Sequence, residues 1–207
     1  MGRDAWGAGR VLTTSDVRIE PFSVEMAPNV VRMLSRAFVA NPLHVATFGA
    51  DRYDRNEAFF RLVLRPTTGT RLVATDGGRI LGFIHWVASP SCQPSGLEKA
   101  RMSPTMLAGV GLPAALRLVS WLSTWARCEP SERHLHLGPI GVDPDAQGRH
   151  VGQSLMEAYG DALGRTGSVG YLETDRPENV RFYRHYGFET TREIDVAGVP
   201  NYLMRRG

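Results

Sequence analysis

Residues 138–152 of this chain, Gly-Pro-Ile-Gly-Val-Asp-Pro-Asp-Ala-Gln-Gly-Arg-His-Val-Gly, restrict its fold more than any other segment. They read as the end of a short strand, a sharp turn, and a glycine-bearing loop that feeds a helix. That order builds an anion site. The first N–H groups of a helix have no partner inside it, and the helix dipole favours negative charge at the same end. Gly148 and Gly152 remove side chains from the places where phosphates would approach the backbone. The loop therefore predicts a ligand that carries a pyrophosphate. Two familiar alternatives are excluded. The chain has no G-x-x-x-x-G-K-S/T nucleotide loop, and no G-x-G-x-x-G follows a strand.

Periodicity places the remaining elements around this loop. Val17 to Pro21 reads as a strand, and Pro28 to Phe38 as a helix with Val30, Val31, Leu34 and Phe38 on one face. Asn41-Pro42 reads as its stop. Asp51 to Leu64 reads as a second helix capped by Asp51. Arg71 to Thr75 and Arg79 to Ala88 flank Asp76-Gly77-Gly78, a hairpin signal. Residues 97–128 are helical in pattern, with Leu118, Trp121, Leu122 and Trp125 at helical spacing. Pro104, Gly109, Gly111 and Pro113 are expected to break this insert into two short helices. It reads equally as a flap packed on the core and as a cover over a second substrate. Strands are expected at His134–Val142, Gly170–Thr174, Glu189–Val196 and Tyr202–Arg205. Helices are expected at Val151–Gly164 and from a capping box at Asp175-x-x-Glu178 to Gly187.

Gln147-Gly148-Arg149-His150-Val151-Gly152 resembles the Q/R-x-x-G-x-G/A signature of the GNAT superfamily of N-acetyltransferases, which bind acetyl-coenzyme A. Its closing pattern also stands downstream. Asn179, Tyr183, Gly187 and Phe188 fill the Asn, Tyr and Gly-Phe slots in order. The form E-T-x-x-P-x-N-x-x-F-Y, from Glu173 to Tyr183, resembles the branch that includes puromycin N-acetyltransferase. The resemblance is specific from His134 to Arg206 and architectural before that. It implies an α+β fold: a mixed, mostly antiparallel twisted sheet of about seven strands, splayed in the middle and flanked by helices. One domain over residues 17–207 would carry the insert at 97–128.

The resemblance also implies a site. Acetyl-CoA would lay its pyrophosphate on the amides of Gln147, Gly148, Arg149, His150, Val151 and Gly152, with Gln153 and Ser154 opening the helix. Its pantetheine arm would run beside Ile140, Gly141 and Val142, where an N–H would hold the tetrahedral oxyanion. Asn179 and Phe182 complete the cofactor-binding set. His150 departs from the glycine that is commonest at its position, so its side chain must turn away. Tyr183 matches the family's tyrosine and is assigned as general acid, because a phenol is neutral at pH 7 and suited to protonating a thiolate. The base has no constant position in the family. Glu173, on the strand before Asn179, is the first candidate, and His136, which alternates with His134 on one face, is the second.

Composition narrows the partners. The 24 basic and 21 acidic residues leave a net charge of +3 without a like-charge run, so nothing argues for nucleic acid. No apolar run approaches a membrane span. Cys92 and Cys128 are far apart without metal spacing; they read as reduced thiols, and no metal is expected. Residues 1–16 lack the apolar core of a signal peptide and read as a flexible tail, which points to a cytoplasmic protein. The function expected is transfer of an acetyl group from acetyl-CoA to a primary amine of a small molecule by direct attack. A protein amine acetyltransferase and a non-catalytic acyl-CoA sensor are the alternatives, and a homodimer is left open.

Overall fold

The computed structural model describes residues 17–65, 68–92 and 96–207, with backbone alone for residues 96–99. The tail expected over residues 1–16 lies outside the described residues. Seven strands form one open sheet in the order β1-β2-β3-β4-β5-β7-β6. They are β1 (Arg18–Pro21), β2 (Thr70–Asp76), β3 (Arg79–Ala88), β4 (His134–Val142), β5 (Val169–Thr174), β6 (Glu189–Val196) and β7 (Val199–Arg206). Every pairing is antiparallel except β4 with β5. The helices are α1 (Ala27–Phe38), α2 (Pro42–Phe48), α3 (Tyr53–Val63), α4 (Gly96–Val110), α5 (Leu112–Ala126), α6 (Val151–Thr166) and α7 (Pro177–Arg184). Among the described residues no helix is long and apolar enough to cross a membrane.

Side chains alternate across the sheet and supply two cores. Leu72 and Ala74 of β2 pack with Val151, Leu155, Met156 and Tyr159 of α6. Val73 faces the other way, into a core with α1, α3 and α5 that holds Leu34, Phe60, Leu118 and Trp121. The second core seats α1 directly on β4. A Cβ at Gly141 would lie 2.7 Å from Leu34 Cδ2 and 2.9 Å from Phe38 Cε2. Gly141 is therefore required by helix packing, whatever its role toward a ligand.

Several local expectations change. Asn41-Pro42 ends α1 but also begins α2, because proline at the first helical position is preset for a helix. Asp51 is no cap; it has φ 54°, and Arg52 occupies the cap position of α3. The insert breaks once, at Gly111 with φ 79°, into two helices of 15 residues each. Pro104 lies inside α4, and Gly109 allows close approach to Ala58 of α3 rather than a break. The Asp175–Glu178 capping box does not form. Asp175 instead accepts the Leu43 N–H at 2.7 Å and so caps α2 from across the chain, while Glu178 pairs with Arg176. β7 starts at Val199 because Ala197 and Gly198, with φ 56° and 79°, make a two-residue hairpin turn.

Candidate active site

β4 and β5 are paired only from His134 to His136, opposite Val169 to Tyr171. Beyond that point β4 stays paired with β3 up to Val142, whereas β5 continues beside β7. The strands part, and the β5-facing edge of β4 from Leu137 onward lacks a strand partner. A cleft of about 2150 Å³ opens at the parting.

One end of the cleft is the glycine loop. Asp143 caps a short 3-10 turn by accepting the Asp145 N–H at 2.9 Å. Asp143 and Asp145 are held in turn by Arg36 of α1 and Arg79 of β3. The chain then reaches Gly148 at φ 78° and His150 at φ 60° before α6 begins. This left-handed path is natural for glycine and strained for histidine. Ser154 N–H donates to His150 O, so the helix ladder starts there. The amides of Gly148, His150, Val151, Gly152 and Gln153 donate to no described residue, as an anion site requires. A Cβ at Gly152 would meet Phe182 and Val142 only at ordinary contact, 3.6 Å, so space there is reserved from the ligand side. The residues present thus fit a pyrophosphate and an extended arm along β4.

Of the predicted cofactor set, Ile140, Gly141, Val142, Gln147, Gly148, His150, Val151, Gly152, Gln153, Asn179 and Phe182 line the cleft. The Arg149 and Ser154 side chains turn away. Arg149 forms an ion pair with Asp76 at 2.7 Å, which ties the loop to the β2–β3 hairpin, and Ser154 Oγ bonds back to His150 O. The His150 ring leans on Gln153. Asn179 bonds Thr174 Oγ1 at 3.3 Å, which holds the start of α7 to the end of β5.

Tyr183 is buried beside Phe182 and Phe188, and it lines the cleft. Its hydroxyl makes no hydrogen bond to a described residue. Burial, with Asp175 nearby, pushes the phenol up, so it stays protonated at neutral pH. Glu173 lines the same cleft. Its Oε2 accepts from His136 Nε2 at 2.8 Å, and its buried Oε1 has no partner. Burial lowers the affinity of His136 for a proton, but Glu173, with Cys92 and Glu129 on its other side, more than offsets this. The imidazole sits well above its usual range. His136 alone, without a metal, is thus a proton holder between two carboxylates, and Glu173 is the group with an unpaired oxygen.

The far wall of the cleft is apolar. Phe38, Phe59 and Phe60 meet Met106, Leu118, Trp121 and Trp125 of the insert there. The insert packs on the core as one of its expected roles requires, with Ala114, Ala115, Leu118 and Trp121 buried in the second core, and α5 also lines the cleft.

The sequence reading missed one cluster entirely. Cys92, Glu129, His134 and His136 place one potential ligand atom each within 4.8 Å of one another. Cys92 and Cys128 are both free thiols, as expected, and Cys92 stands beside the two histidines. Position 92 is too distant from positions 129–136 for a spacing rule, and the β3–β4 pairing joins them.

Comparison with known proteins adds a family. The model described as the Acetyltransferase (GNAT) family matches residues 32–188. The N-alpha-acetyltransferase RimI of Mycobacterium tuberculosis is 37% identical over 91 residues, which are 41% of this chain and 55% of that protein. The chain thus spans about half the length of this curated relative. Among solved structures, a histone acetyltransferase HPA2 and related acetyltransferase from Corynebacterium glutamicum superposes with TM-score 0.69 at 22% identity, covering 92% of this chain and 96% of that one. Arylalkylamine N-acetyltransferase 2 from Aedes aegypti gives TM-score 0.65 at 15% identity, covering 93% and 99%. These two show the shared fold.

Proposed function

From the premise that the chain belongs to the GNAT acetyltransferase family, we propose that it is an N-acetyltransferase that takes the acetyl group of acetyl-CoA to the primary amine of a small molecule with an apolar body. One observation carries this: the unpaired loop amides, the open edge of β4, Glu173 and Tyr183 all line one cleft. The amides of Gly148 and of His150 to Gln153 hold the pyrophosphate. The β4 edge at Ile140–Val142 holds the arm and turns an N–H toward the developing oxyanion. Glu173 Oε1 takes the proton of the ammonium directly or through a water, since a protonated amine cannot attack. The amine then attacks the thioester carbon; a C–N bond forms and the C–S bond breaks. Tyr183 gives its proton to the departing thiolate, and the nitrogen loses its second proton to solvent as the amide forms, from which the phenolate is reprotonated. The apolar wall of Phe38, Met106, Leu122 and Trp125 supports an acceptor with aliphatic or aromatic bulk. The Glu173–Tyr183 motif supports the puromycin-type branch.

The RimI similarity favours a second reading, in which the acceptor is the α-amine of a protein. Acetyl-CoA consumption measured across apolar small amines and across N-terminal peptides separates the two, with Glu173→Gln as the blank. Turnover of small amines that falls in the blank is the expected result. Turnover of peptides alone transfers the assignment to the second reading. CoA binding without turnover of either class leaves only a sensor.

A further inference from the structure

We infer that Cys92, Glu129, His134 and His136 form a tetrahedral zinc site at the base of the helical insert. The four donors come from three places: Cys92 follows β3, Glu129 follows α5, and the two histidines stand two residues apart on β4, on one face. Cys92 Sγ lies 3.6 Å from His134 Nε2, His134 Nε2 lies 3.2 Å from Glu129 Oε1, and His136 Nδ1 lies 3.9 Å from the same oxygen. A tetrahedral zinc with Zn–S near 2.3 Å and Zn–N and Zn–O near 2.05 Å sets S···N at about 3.6 Å and N···O at about 3.4 Å. Two of the three distances lie close to these values and the third is longer, with all four atoms within 4.8 Å of one another, so an ion at the centre would draw the cluster together only slightly.

The outer contacts settle which nitrogens face inward. His134 Nδ1–H donates to the Glu132 carbonyl at 2.8 Å, so Nε2 presents its lone pair. His136 Nε2–H donates to Glu173 Oε2 at 2.8 Å, so Nδ1 is the nitrogen that turns its lone pair inward when the ring gives up its second proton. The two rings take opposite tautomers and aim both lone pairs at the same point. A carboxylate and a sulfur aim there too. Four donor atoms are gathered in a shielded place, with the His134 side chain 1% exposed, and one cation can serve all of them once the thiol and the imidazolium give up their protons. A carboxylate or a carbonyl behind each histidine is the usual support of a metal-bound imidazole. One sulfur, two imidazoles and one carboxylate suit zinc and exclude the hard oxygen-seeking cations.

The position gives the metal a role. Cys92 and Glu129 stand at the two ends of residues 93–128, the connection that holds α4 and α5. A shared ion closes that connection at its root and fixes the insert wall over the cleft. On binding, Cys92 Sγ and the His136 ring release their protons to solvent. His136 keeps its Nε2–H on Glu173 and holds that carboxylate in place beside the cleft. The site rests on the cluster's geometry and stands whether or not the chain is an acetyltransferase.

The test uses the full chain, stripped with a chelator and then titrated with Zn²⁺ against a chromophoric competitor, and separately with Co²⁺. The expected results are one metal per chain, a rise in Tm, and a cobalt spectrum with a thiolate charge-transfer band and strong tetrahedral bands. Cys92→Ser should abolish the charge-transfer band and weaken zinc by at least roughly a hundredfold, as removal of a ligand should cost no less than removal of its outer support. Cys128→Ser should change neither. X-ray absorption of the wild-type zinc form needs no variant and should show one sulfur with nitrogen and oxygen neighbours. A folded chain that takes up no zinc at micromolar free metal, a bound metal without a sulfur neighbour, or a cobalt band lost equally in Cys128→Ser overturns the assignment.

Discussion

Acidification should destabilise the fold through His44, by an amount that its surroundings set. His44 lies in α2 within a ring of Phe38, Phe48, Phe59, Phe60 and Trp121, with centroids 5.1 to 5.7 Å away. Its one polar partner is Asn56 Oδ1, 2.6 Å from Nδ1, and no charged group contributes to its titration. Burial pushes the imidazole down to about 4, and the Asn56 bond offsets this only in part. An unfolded histidine titrates near 6.5, so the unfolded chain takes up the proton first as pH falls. The contribution is complete above about pH 6.5, is lost between about 6.5 and about 4, and is constant below that. At about 1.4 kcal/mol per pH unit, this gap amounts to about 3 kcal/mol. That is a large part of the 5–15 kcal/mol, roughly, that holds a domain together. Urea unfolding of the wild type and His44→Phe at several pH values between about 7 and about 4 tests it. The variant leaves the buried Asn56 Oδ1 without its partner and should be less stable by about 1–3 kcal/mol at neutral pH. Its stability should then fall less steeply with acid. Burial also pushes His85 down to about 4, but His85 is present in both proteins, so a shared slope belongs to it and to other groups. Parallel curves for the two proteins would refute the argument.

Tyr183→Phe should lower turnover by about 10²–10⁴-fold with little change in acetyl-CoA affinity, since it removes a proton donor and keeps the packing; single-turnover rates beside CoA titrations check this. CoA at a hundredfold excess over its dissociation constant should stabilise the wild type by about 2.7 kcal/mol, and Gly152→Asp should remove most of that gain by setting a carboxylate against the phosphates; thermal shift at matched CoA reads it. Asp175→Ala should cost about 1 kcal/mol by uncapping α2, although the residue lies far from that helix in sequence; urea midpoints report it, and an unchanged midpoint would show that Leu43 N–H finds another acceptor.

What can be read before folding is what the backbone does locally. Gly77-Gly78 turns the β2–β3 hairpin, and Gly148 lets the chain take the left-handed step before α6, whoever their distant neighbours are. The loop, the strand–helix order of the C-terminal half and the placement of Glu173, Asn179 and Tyr183 follow from such short-range rules and from their spacing. The rules failed where two requirements shared one residue. Pro42 ends one helix and starts another, and Asp175 was read as capping its own helix when it caps α2.

The remaining decisions needed the whole sheet. That Arg149 turns to Asp76, that the insert walls the cleft with Trp121 and Trp125, and that Glu173 keeps one oxygen without a partner all depend on residues tens of positions apart in the chain. The metal-ligating cluster is the clearest case. The alternation of His134 and His136 was visible in the sequence and set both rings on one face. Cys92 and Glu129 meet them only because β3 and β4 pair across the insert and return its two ends to the same place. Local sequence dictates which way a side chain leaves its own strand; which other side chains it meets there is decided by strand pairing, a long-range choice that no spacing in the chain records.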